Sequence, residues 1–263
     1  EVSLTLILNT GKGKGEGFAD LWRQDLLNLE HTLAENGYTL TGVALNFNPR
    51  RGNVILGRES IILIGNPRIT DIINQKTHVL SPESFFQVNS AQAAKLYSVV
   101  RNYVAESKAA FDDDRNLTIL DIYCGVGSIA IQLADLANNV IGIEVNEKAV
   151  ADAKVNARIN NCHNCRFIAA KAENWIQNEL DSNIKIAVVD PPRRGLDSKL
   201  IKALNEADHL KSLIYVSCNP ATLARDLAFL SSSWKILKIQ PLDLFPHTTH
   251  VETVVLMERL EIL

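Results

Sequence analysis

The sequence has no apolar run close to the roughly 20 residues that a membrane-spanning helix needs, and no basic-then-apolar signal segment opens it. These two absences argue against a helical membrane protein and a secreted one. We therefore expect a cytoplasmic protein with no membrane partner. The chain begins at Glu1 rather than with methionine, which is consistent with a processed or truncated form.

Cysteine and net positive charge are also scarce. There are 4 cysteines, too few and too scattered for a disulfide framework, so a reducing compartment fits better. One pair, Cys162 and Cys165, has CxxC spacing, but no second pair follows at zinc-site spacing, and we predict no metal site. A net charge of −3 argues against a dominant basic surface. A nucleic-acid partner would have to be bound by a local patch.

What the sequence does contain is typical of a globular protein. Its 263 residues are 46% hydrophobic and 22% charged, which fits one large or two smaller domains. From about residue 118, strand-like and helix-like segments alternate, the pattern of a parallel sheet covered by helices. The last two predicted strands, Trp234–Leu242 and Glu252–Arg259, have no helix between them. So short a link predicts that the final strand is antiparallel.

The first part of the chain has a different pattern. Residues 1–80 read as a small α+β domain, residues 81–110 as a bridging helix segment, and residues 111–263 as the α/β domain. The predicted helix of the small domain is Phe18–Asn36. Its predicted strands are Val2–Leu8, Tyr38–Asn46, Asn53–Leu56, Ser60–Ile64 and Thr77–Leu80. The glycine-rich run Gly11–Gly17 lacks the ending of a phosphate-binding loop, and we interpret it as an ordinary loop.

The segment LIYVSCNPATL at 213–223 places a single thiol, Cys218, between a buried strand and a helix N-terminus. Pro220 suits the first helical position. The N–H groups and dipole of such a helix can lower the pKa of a thiol and make a thiolate available as a nucleophile. A buried structural cysteine is an equally good interpretation of this segment alone.

A glycine turn predicts a nucleoside-bearing cofactor. Gly125 and Gly127 follow the first strand of the α/β domain, and Glu144 ends the next strand, where a carboxylate can accept hydrogen bonds from two ribose hydroxyls. Residues 125–130 also satisfy GxGxx[GA], so a nicotinamide dinucleotide remains an alternative. Asp121, four residues before Gly125, gives the DxxxGxG form that resembles S-adenosylmethionine-dependent methyltransferases. Its carboxylate either helps to position the methionine end of the cofactor or stabilises the turn.

Two more acidic residues are expected at the same sheet edge. Asp190 follows a strand and opens the stiff run DPPRRG, and Glu252 begins the last strand after the turn FPHTTHV. With Cys218, they would face one pocket. A thiol and a carboxylate base suit one reaction in particular: the thiolate adds to carbon 6 of a uracil, carbon 5 accepts a methyl group, and Glu252 removes the carbon-5 proton. Asp190 can then hydrogen-bond a ring N–H.

At this point the chain resembles the RNA uracil-5-methyltransferase family. The resemblance rests on FQVN at 86–89, DIYCGVG at 121–127, DPPRRG at 190–195, SCNPATLARDL at 217–227 and FPHTTHVE at 245–252. It covers the chain from about residue 75 to the end. It implies an α/β fold with a Rossmann-like seven-stranded methyltransferase sheet, an antiparallel last strand and S-adenosylmethionine as the cofactor.

The resemblance also implies roles for individual residues. Cys218 is the nucleophile and Glu252 the proton acceptor. The family's cofactor-binding positions match Gln87, Tyr123, Glu144 and Asp190. The role inferred for Asp190 on the substrate is then shared with, or replaced by, contact with the cofactor.

The implied partner is RNA, and we expect a monomer. The motif wording is more similar to the ribosomal-RNA members than to the transfer-RNA members, so ribosomal RNA is favoured and transfer RNA is the alternative. Many members also carry an N-terminal oligonucleotide-binding barrel and a four-cysteine iron–sulfur site; this sequence shows no such barrel, and its cysteines lack that spacing. An NAD-dependent oxidoreductase and a non-catalytic RNA-binding module remain the competing classes. Candidate RNA contacts in the small domain are Arg50, Arg51, Arg58 and Arg68.

Overall fold

A computed structural model describes residues 1–10, 22–50, 55–57, 59–111, 116–179 and 181–260. The chain divides into two compact units: one contains Glu1–Asp71 and Val79–Ser84, and the other contains Ile72–His78 and Phe85–Leu263. In the described part of the chain, no helix combines the length and apolarity needed to cross a membrane.

The first unit is built around a three-stranded sheet in the order β1-β2-β3. Its elements are β1 (Val2–Leu8), helix α1 (Arg23–Glu35), β2 (Leu40–Phe47) and β3 (Glu59–Gly65). Strand β2 is parallel to β1 and antiparallel to β3. The predictions of β1, β2 and β3 are confirmed to within two residues at each end. The strand predicted at 53–56 is wrong for Ile55 and Leu56, which are not in a strand. Residues 53–54, the glycine-rich run 11–17 and the predicted start of the helix at residue 18 lie outside the described residues.

The chain passes from the first unit to the second within a hairpin of β4 (Ile69–Ile73) and β5 (Lys76–Leu80). Its two turn residues, Asn74 and Gln75, have φ values of 47° and 64°. Two positive φ values in a two-residue turn are typical of a type I′ hairpin. Strand β4 was not predicted, because the usual signal for this turn, Asn-Gly or Asp-Gly, is absent.

The second unit contains a seven-stranded sheet in the order β11-β12-β10-β9-β6-β7-β8. Its strands are β6 (Thr118–Ile122), β7 (Asn139–Glu144), β8 (Cys165–Ala169), β9 (Ile184–Val189), β10 (Ser212–Ser217), β11 (Trp234–Leu242) and β12 (Glu252–Arg259). Strand β12 lies between β10 and β11 and is antiparallel to both, whereas the other neighbouring strands run parallel. The predicted fold class, including the antiparallel last strand, is confirmed.

Helices connect the strands and cover the sheet. They are α2 (Ser90–Ala109), α3 (Ser128–Leu133) with a short 3₁₀ turn at Ala134–Leu136, α4 (Glu147–Ile159), α5 (Ala172–Glu179), α6 (Ser198–Glu206) and α7 (Pro220–Leu230). Sequence analysis missed α5, a short and mostly polar helix. The core forms two clusters: Leu96 and Val100 of α2 lie in one, and Leu200 and Leu204 of α6 in the other.

Candidate active site

Four neighbouring parallel strands end at one edge of the seven-stranded sheet. Parallel strands point their carboxyl ends the same way, so the residues that follow them share this edge. Tyr123 follows β6, Glu144 ends β7, Asp190 follows β9 and Cys218 follows β10. The pairing of Val189 with both Ile122 and Tyr215 keeps these strand ends nearly level.

Cys218 and Glu252 are brought together by antiparallel pairing. Ser217 of β10 is opposite Thr253 of β12. Because the two strands are antiparallel, Cys218, which follows Ser217, lies beside Glu252, which precedes Thr253. The Cys218 side chain is half-buried, whereas Glu252 is only 4% exposed. A thiol therefore lies beside a buried carboxylate, although 33 residues of sequence separate them.

The environment of Cys218 raises the pKa of its thiol. The largest cause is burial, and the negative charges of Glu252 and Asp190 add to it. Burial and these two carboxylates therefore act against the lowering of the thiol pKa that a helix N-terminus can provide. Asn219 caps α7, and its side chain accepts a hydrogen bond from the Ala221 N–H at 3.0 Å.

Glu252 combines burial with one opposing charge. Burial raises the pKa of this carboxyl, and the positive charge of Arg193 lowers it. Asp190 is affected in turn: burial, then the charge of Glu252, raises its pKa to about 7. The Arg193 side chain is exposed, and its Nη2 lies 3.5 Å from His250 Nε2. The electrostatic effect of Arg193 on Glu252 was not predicted from the sequence.

The turn after β6 is made by left-handed backbone. Tyr123, Gly125 and Gly127 have φ values of 65°, 53° and 81°. At Gly125, no atom of the described residues lies within 4 Å of where a Cβ would be, so this part of the turn faces open space. At Gly127, a Cβ would lie 2.8 Å from Phe167 Cζ, so here the glycine is required by packing as well as by φ.

This difference predicts unequal stabilities for two matched variants. Either glycine-to-alanine substitution places an L-residue in left-handed backbone, which costs about 1–2 kcal/mol. Gly127→Ala adds the overlap with Phe167, so we expect its loss of unfolding free energy to exceed that of Gly125→Ala by about 1 kcal/mol or more. Urea unfolding of the free protein measures both. Equal losses would show that Phe167 moves aside freely.

Carboxylates surround this turn on two sides. Asp121 is fully buried and its Oδ2 accepts a hydrogen bond from the Ala130 N–H at 2.9 Å, while Oδ1 has no hydrogen-bond partner among the described residues. Burial and the charges of Asp190 and Glu144 raise the pKa of Asp121. Glu144 Oε2 accepts from the Gly125 N–H at 3.3 Å. The stabilising role considered for Asp121 is therefore present in the structure.

Gln87 belongs to the segment that precedes α2. It is buried, and its Oε1 has no hydrogen-bond partner among the described residues. The nearby Asn89 donates from Nδ2 to the Leu244 carbonyl at 2.9 Å, just beyond the carboxyl end of β11. Since β11 is parallel to β10, this contact ties the segment to the same edge of the sheet.

One supporting residue was missed by sequence analysis. Asn156 of α4 is fully buried, and its Nδ2 donates to the carbonyl of Val126, inside the glycine turn, at 3.2 Å. A polar residue on the apolar face of a helix was the signal in the sequence. The CxxC cysteines, by contrast, form no such support: Cys162 and Cys165 are free thiols that contact main-chain carbonyls. Within the described residues, no group of three or more His, Cys, Asp or Glu residues has metal-site geometry.

Comparison with known proteins identifies the family. The sequence model of the family described as tRNA (Uracil-5-)-methyltransferase matches residues 16–260. An uncharacterized RNA methyltransferase of Enterococcus faecalis is 42% identical over 223 residues, which cover 84% of this chain and 47% of that protein. One from Staphylococcus aureus strain COL is 41% identical over 219 residues, covering 82% and 47%. The chain thus spans about half the length of the curated relatives it matches.

A solved structure is similar as well. It is that of Pyrococcus abyssi tRNA (uracil-54, C5)-methyltransferase in complex with S-adenosyl-L-homocysteine, with a TM-score of 0.68 and 33% identity. The similarity covers 85% of this chain and 52% of that one. Because the family model matches nearly the whole sequence, the chain belongs to the tRNA (uracil-5-)-methyltransferase family.

Proposed function

We propose that this chain transfers a methyl group from S-adenosylmethionine to carbon 5 of a uridine in RNA. The observation that carries this proposal is that Cys218 lies next to Glu252 at the sheet edge that also carries the glycine turn. A nucleophile and a base within one sheet edge are what C5 methylation of a pyrimidine requires. Family membership supports the same reaction.

The residues at this edge fit the cofactor. Glu144 offers a carboxylate for ribose hydroxyls at the end of β7, and the backbone at Gly125 faces open space. Gln87 Oε1 and Asp121 Oδ1 are buried acceptors with no hydrogen-bond partner among the described residues. We assign cofactor binding to these four residues together with Gly127, Tyr123 and Asp190. When bound, S-adenosylmethionine supplies an electrophilic methyl group.

The chain's own residues carry the covalent steps. The Cys218 thiolate adds to carbon 6 of the uracil, and the electrons of the C5–C6 double bond move onto carbon 5 and the adjacent carbonyl. Once carbon 5 carries the methyl group, Glu252 removes the remaining proton from that carbon. The electrons of the broken C–H bond restore the double bond, and Cys218 leaves as a thiolate.

In this scheme Asp190 can contact the uracil ring as well as the cofactor. Its pKa, raised to about 7, allows it to be protonated or ionised near neutral pH. In its ionised form it accepts a hydrogen bond from a ring N–H, and in either form it can contact the cofactor. Its backbone N–H donates to the Ile122 carbonyl at 3.2 Å, which places the residue directly at the sheet edge.

The RNA partner is the finer part of the proposal. The motif residues are more similar to those of the ribosomal-RNA enzymes, which favours ribosomal RNA as the substrate. The P. abyssi relative, in contrast, is named as a tRNA methyltransferase. In the small domain, Arg50 is exposed and Arg68 half-buried, and both are candidate RNA contacts. Arg51 and Arg58 lie outside the described residues.

The test is methyl transfer to defined RNA. We expect 5-methyluridine to form when the protein and S-adenosylmethionine are incubated with ribosomal RNA from cells lacking the gene, and mapping of the product identifies the uridine. Methylation of transfer RNA alone would make transfer RNA the substrate. Absence of 5-methyluridine in both RNAs, with RNA still bound, would leave a non-catalytic RNA-binding module.

Calorimetry on the same protein separates the two cofactor classes. We expect S-adenosylhomocysteine to bind and NAD to give no heat of binding above that of dilution. Glu144→Ala is the matched variant, since it removes the ribose-binding carboxylate from either cofactor. Binding of NAD instead of S-adenosylhomocysteine would favour the oxidoreductase class.

A further inference from the structure

Asp226 is a buried carboxylate that the proposed mechanism does not use. It lies in α7, is 0% exposed, and has both oxygens satisfied. Oδ2 accepts from the Leu196 N–H and from the Tyr215 hydroxyl, each at 2.7 Å. Oδ1 accepts from Nε and Nη2 of Arg225 at 2.9 and 2.6 Å. Burying a carboxylate is costly unless both of its oxygens accept hydrogen bonds. These four hydrogen bonds therefore indicate that Asp226 has a specific task.

The partners of Asp226 belong to the loop that carries Asp190. Leu196 ends that loop, and Arg225, oriented by Asp226, donates from Nη2 to the Arg194 carbonyl at 2.8 Å. Gly195 lies between these two contacts with a φ of 78°, and a Cβ there would overlap Asp226 Oδ2. The loop therefore closes directly onto α7, the helix that begins two residues after Cys218.

Two more contacts from α7 and its cap fix the loop at Arg193. The Arg193 carbonyl accepts from Asn219 Nδ2 at 3.3 Å and from Thr222 Oγ1 at 3.2 Å. The start of the loop is held differently, because the Asp190 N–H donates to the sheet at Ile122. Asp226 and its neighbours thus hold the backbone of the second half of the loop, from which the Arg193 side chain extends to His250.

We propose that Asp226 is a positioning residue: by closing residues 193–196 onto α7, it holds the positive charge of Arg193 beside the Glu252 carboxylate. The inference rests on the proposed function, in which Glu252 is the base. Burial raises the pKa of a carboxylate and a nearby cation favours its ionised form, so the charge of Arg193 helps Glu252 to act as a base at lower pH. Loosening the loop moves that cation away and leaves Glu252 protonated over more of the working pH range.

Charged and titratable groups stand near Glu252 on each neighbouring element. Cys218, Asp190 and Arg193 interact with it electrostatically. Asp243 follows β11, where Leu242 pairs with Glu252, and His250, two residues before Glu252, lies 3.5 Å from Arg193. Arg193 is the cation among them whose position depends on α7. A change confined to Asp226 therefore acts on Glu252 through Arg193.

The experiment is the pH profile of turnover, measured with the full chain and an RNA that it methylates. The rate rises with pH as Glu252 ionises, and separately as the Cys218 thiol ionises from a higher ordinary pKa. For Asp226→Asn we expect the Glu252 limb to move up by about half a pH unit, which lowers turnover on that limb about threefold, while the thiol limb stays in place. The affinity for S-adenosylhomocysteine should stay within about threefold, because Asp190 keeps its bond to the sheet. If Asp226 has only a structural role, Asp226→Asn lowers the unfolding temperature and leaves the rising limb of the pH profile in place.

Arg259→Gln is the matched control. Arg259 also donates to main-chain carbonyls, those of Leu204 and Asn205 at the end of α6 and of Ala207 and Leu210 in the loop that follows, but at the other end of β12. We expect it to lose stability with an unchanged rising limb. A limb that stays in place in folded Asp226→Asn, or that moves equally in Arg259→Gln, contradicts the proposal.

Two further variants keep the test decisive. If Asp226→Asn does not fold, Thr222→Val removes one hydroxyl donor to the Arg193 carbonyl and should move the rising limb in the same direction by a smaller amount. An unmoved limb then overturns the proposal.

Glu252→Gln separates this inference from the proposed function. If it retains wild-type turnover and the rising limb, Glu252 is not the base and the function fails first; if it behaves as a lost base while Asp226→Asn does not shift, only this inference fails.

Discussion

Cys218→Ala is expected to reduce methyl transfer by about four orders of magnitude, while S-adenosylhomocysteine still binds within about threefold of wild type. Without the thiol no bond forms at carbon 6, so carbon 5 remains a poor nucleophile. The cofactor contacts proposed at the ends of β6 and β7 involve other residues, and alanine leaves the strand–helix junction intact. Radiolabelled methyl transfer and calorimetry measure the two quantities.

Cys165→Ala is the matched control for this variant. It too removes a half-buried thiol, one that donates weakly to the Ala130 carbonyl at 3.7 Å, but at the start of β8. We expect wild-type transfer from it. Full activity in Cys218→Ala would refute the assigned nucleophile.

The same thiol predicts the pH dependence of adduct formation in the wild-type protein. Burial, Glu252 and Asp190 raise the pKa of Cys218, so the reactive thiolate is the minor form at neutral pH. Adduct formation should therefore accelerate as the pH rises through the thiol pKa.

Glu252→Gln is expected to lower turnover by about two to four orders of magnitude and to accumulate a covalent protein–RNA adduct. Glutamine has similar size and can hydrogen-bond, but it cannot take the proton from carbon 5. The Cys218–C6 bond then forms and is not released. Denaturing electrophoresis with labelled RNA shows the adduct as a slowly migrating band that depends on the cofactor.

Glu258→Gln supplies the comparison on the same strand. Glu258 is exposed and lies opposite Ser212, at the far end of β12 from Cys218. We expect normal turnover and no trapped adduct from it. If Glu252→Gln turns over normally, or is inactive without trapping RNA, another group is the base.

Much of this arrangement was predictable because its signals are local. Runs of apolar, β-prone residues with flanking turn residues predicted strands at 117–122, 139–145, 184–189 and 212–217, close to the observed β6, β7, β9 and β10. The short link before β12 predicted its direction. The edge residues Glu144, Asp190 and Cys218 followed from those strand ends. Hairpin strand β4 and helix α5 were missed, since β4 lacks a strong turn motif and the short α5 presents only Ala172, Trp175 and Ile176 to the core.

The electrostatics were not predictable in the same way. A helix N-terminus after Cys218 suggested a lowered thiol pKa, yet the folded edge raises it, because burial and carboxylates from distant parts of the sequence act on the same sulfur. The role of Arg193 beside Glu252 was equally hidden. Both effects depend on how far each charge lies from its neighbours and from water, which sequence spacing does not specify.

The sequence by itself determined most of the element types, the class of sheet and which residues stand at the ends of the main strands, since these follow from propensity and periodicity within short windows. Tertiary structure alone decided that β12 enters between β10 and β11, which sets Glu252 against Cys218. It also decided that Asp226 closes the Arg193 loop onto α7. Such contacts join segments tens of residues apart, and only the packing of the whole sheet and its helices brings them within hydrogen-bonding distance.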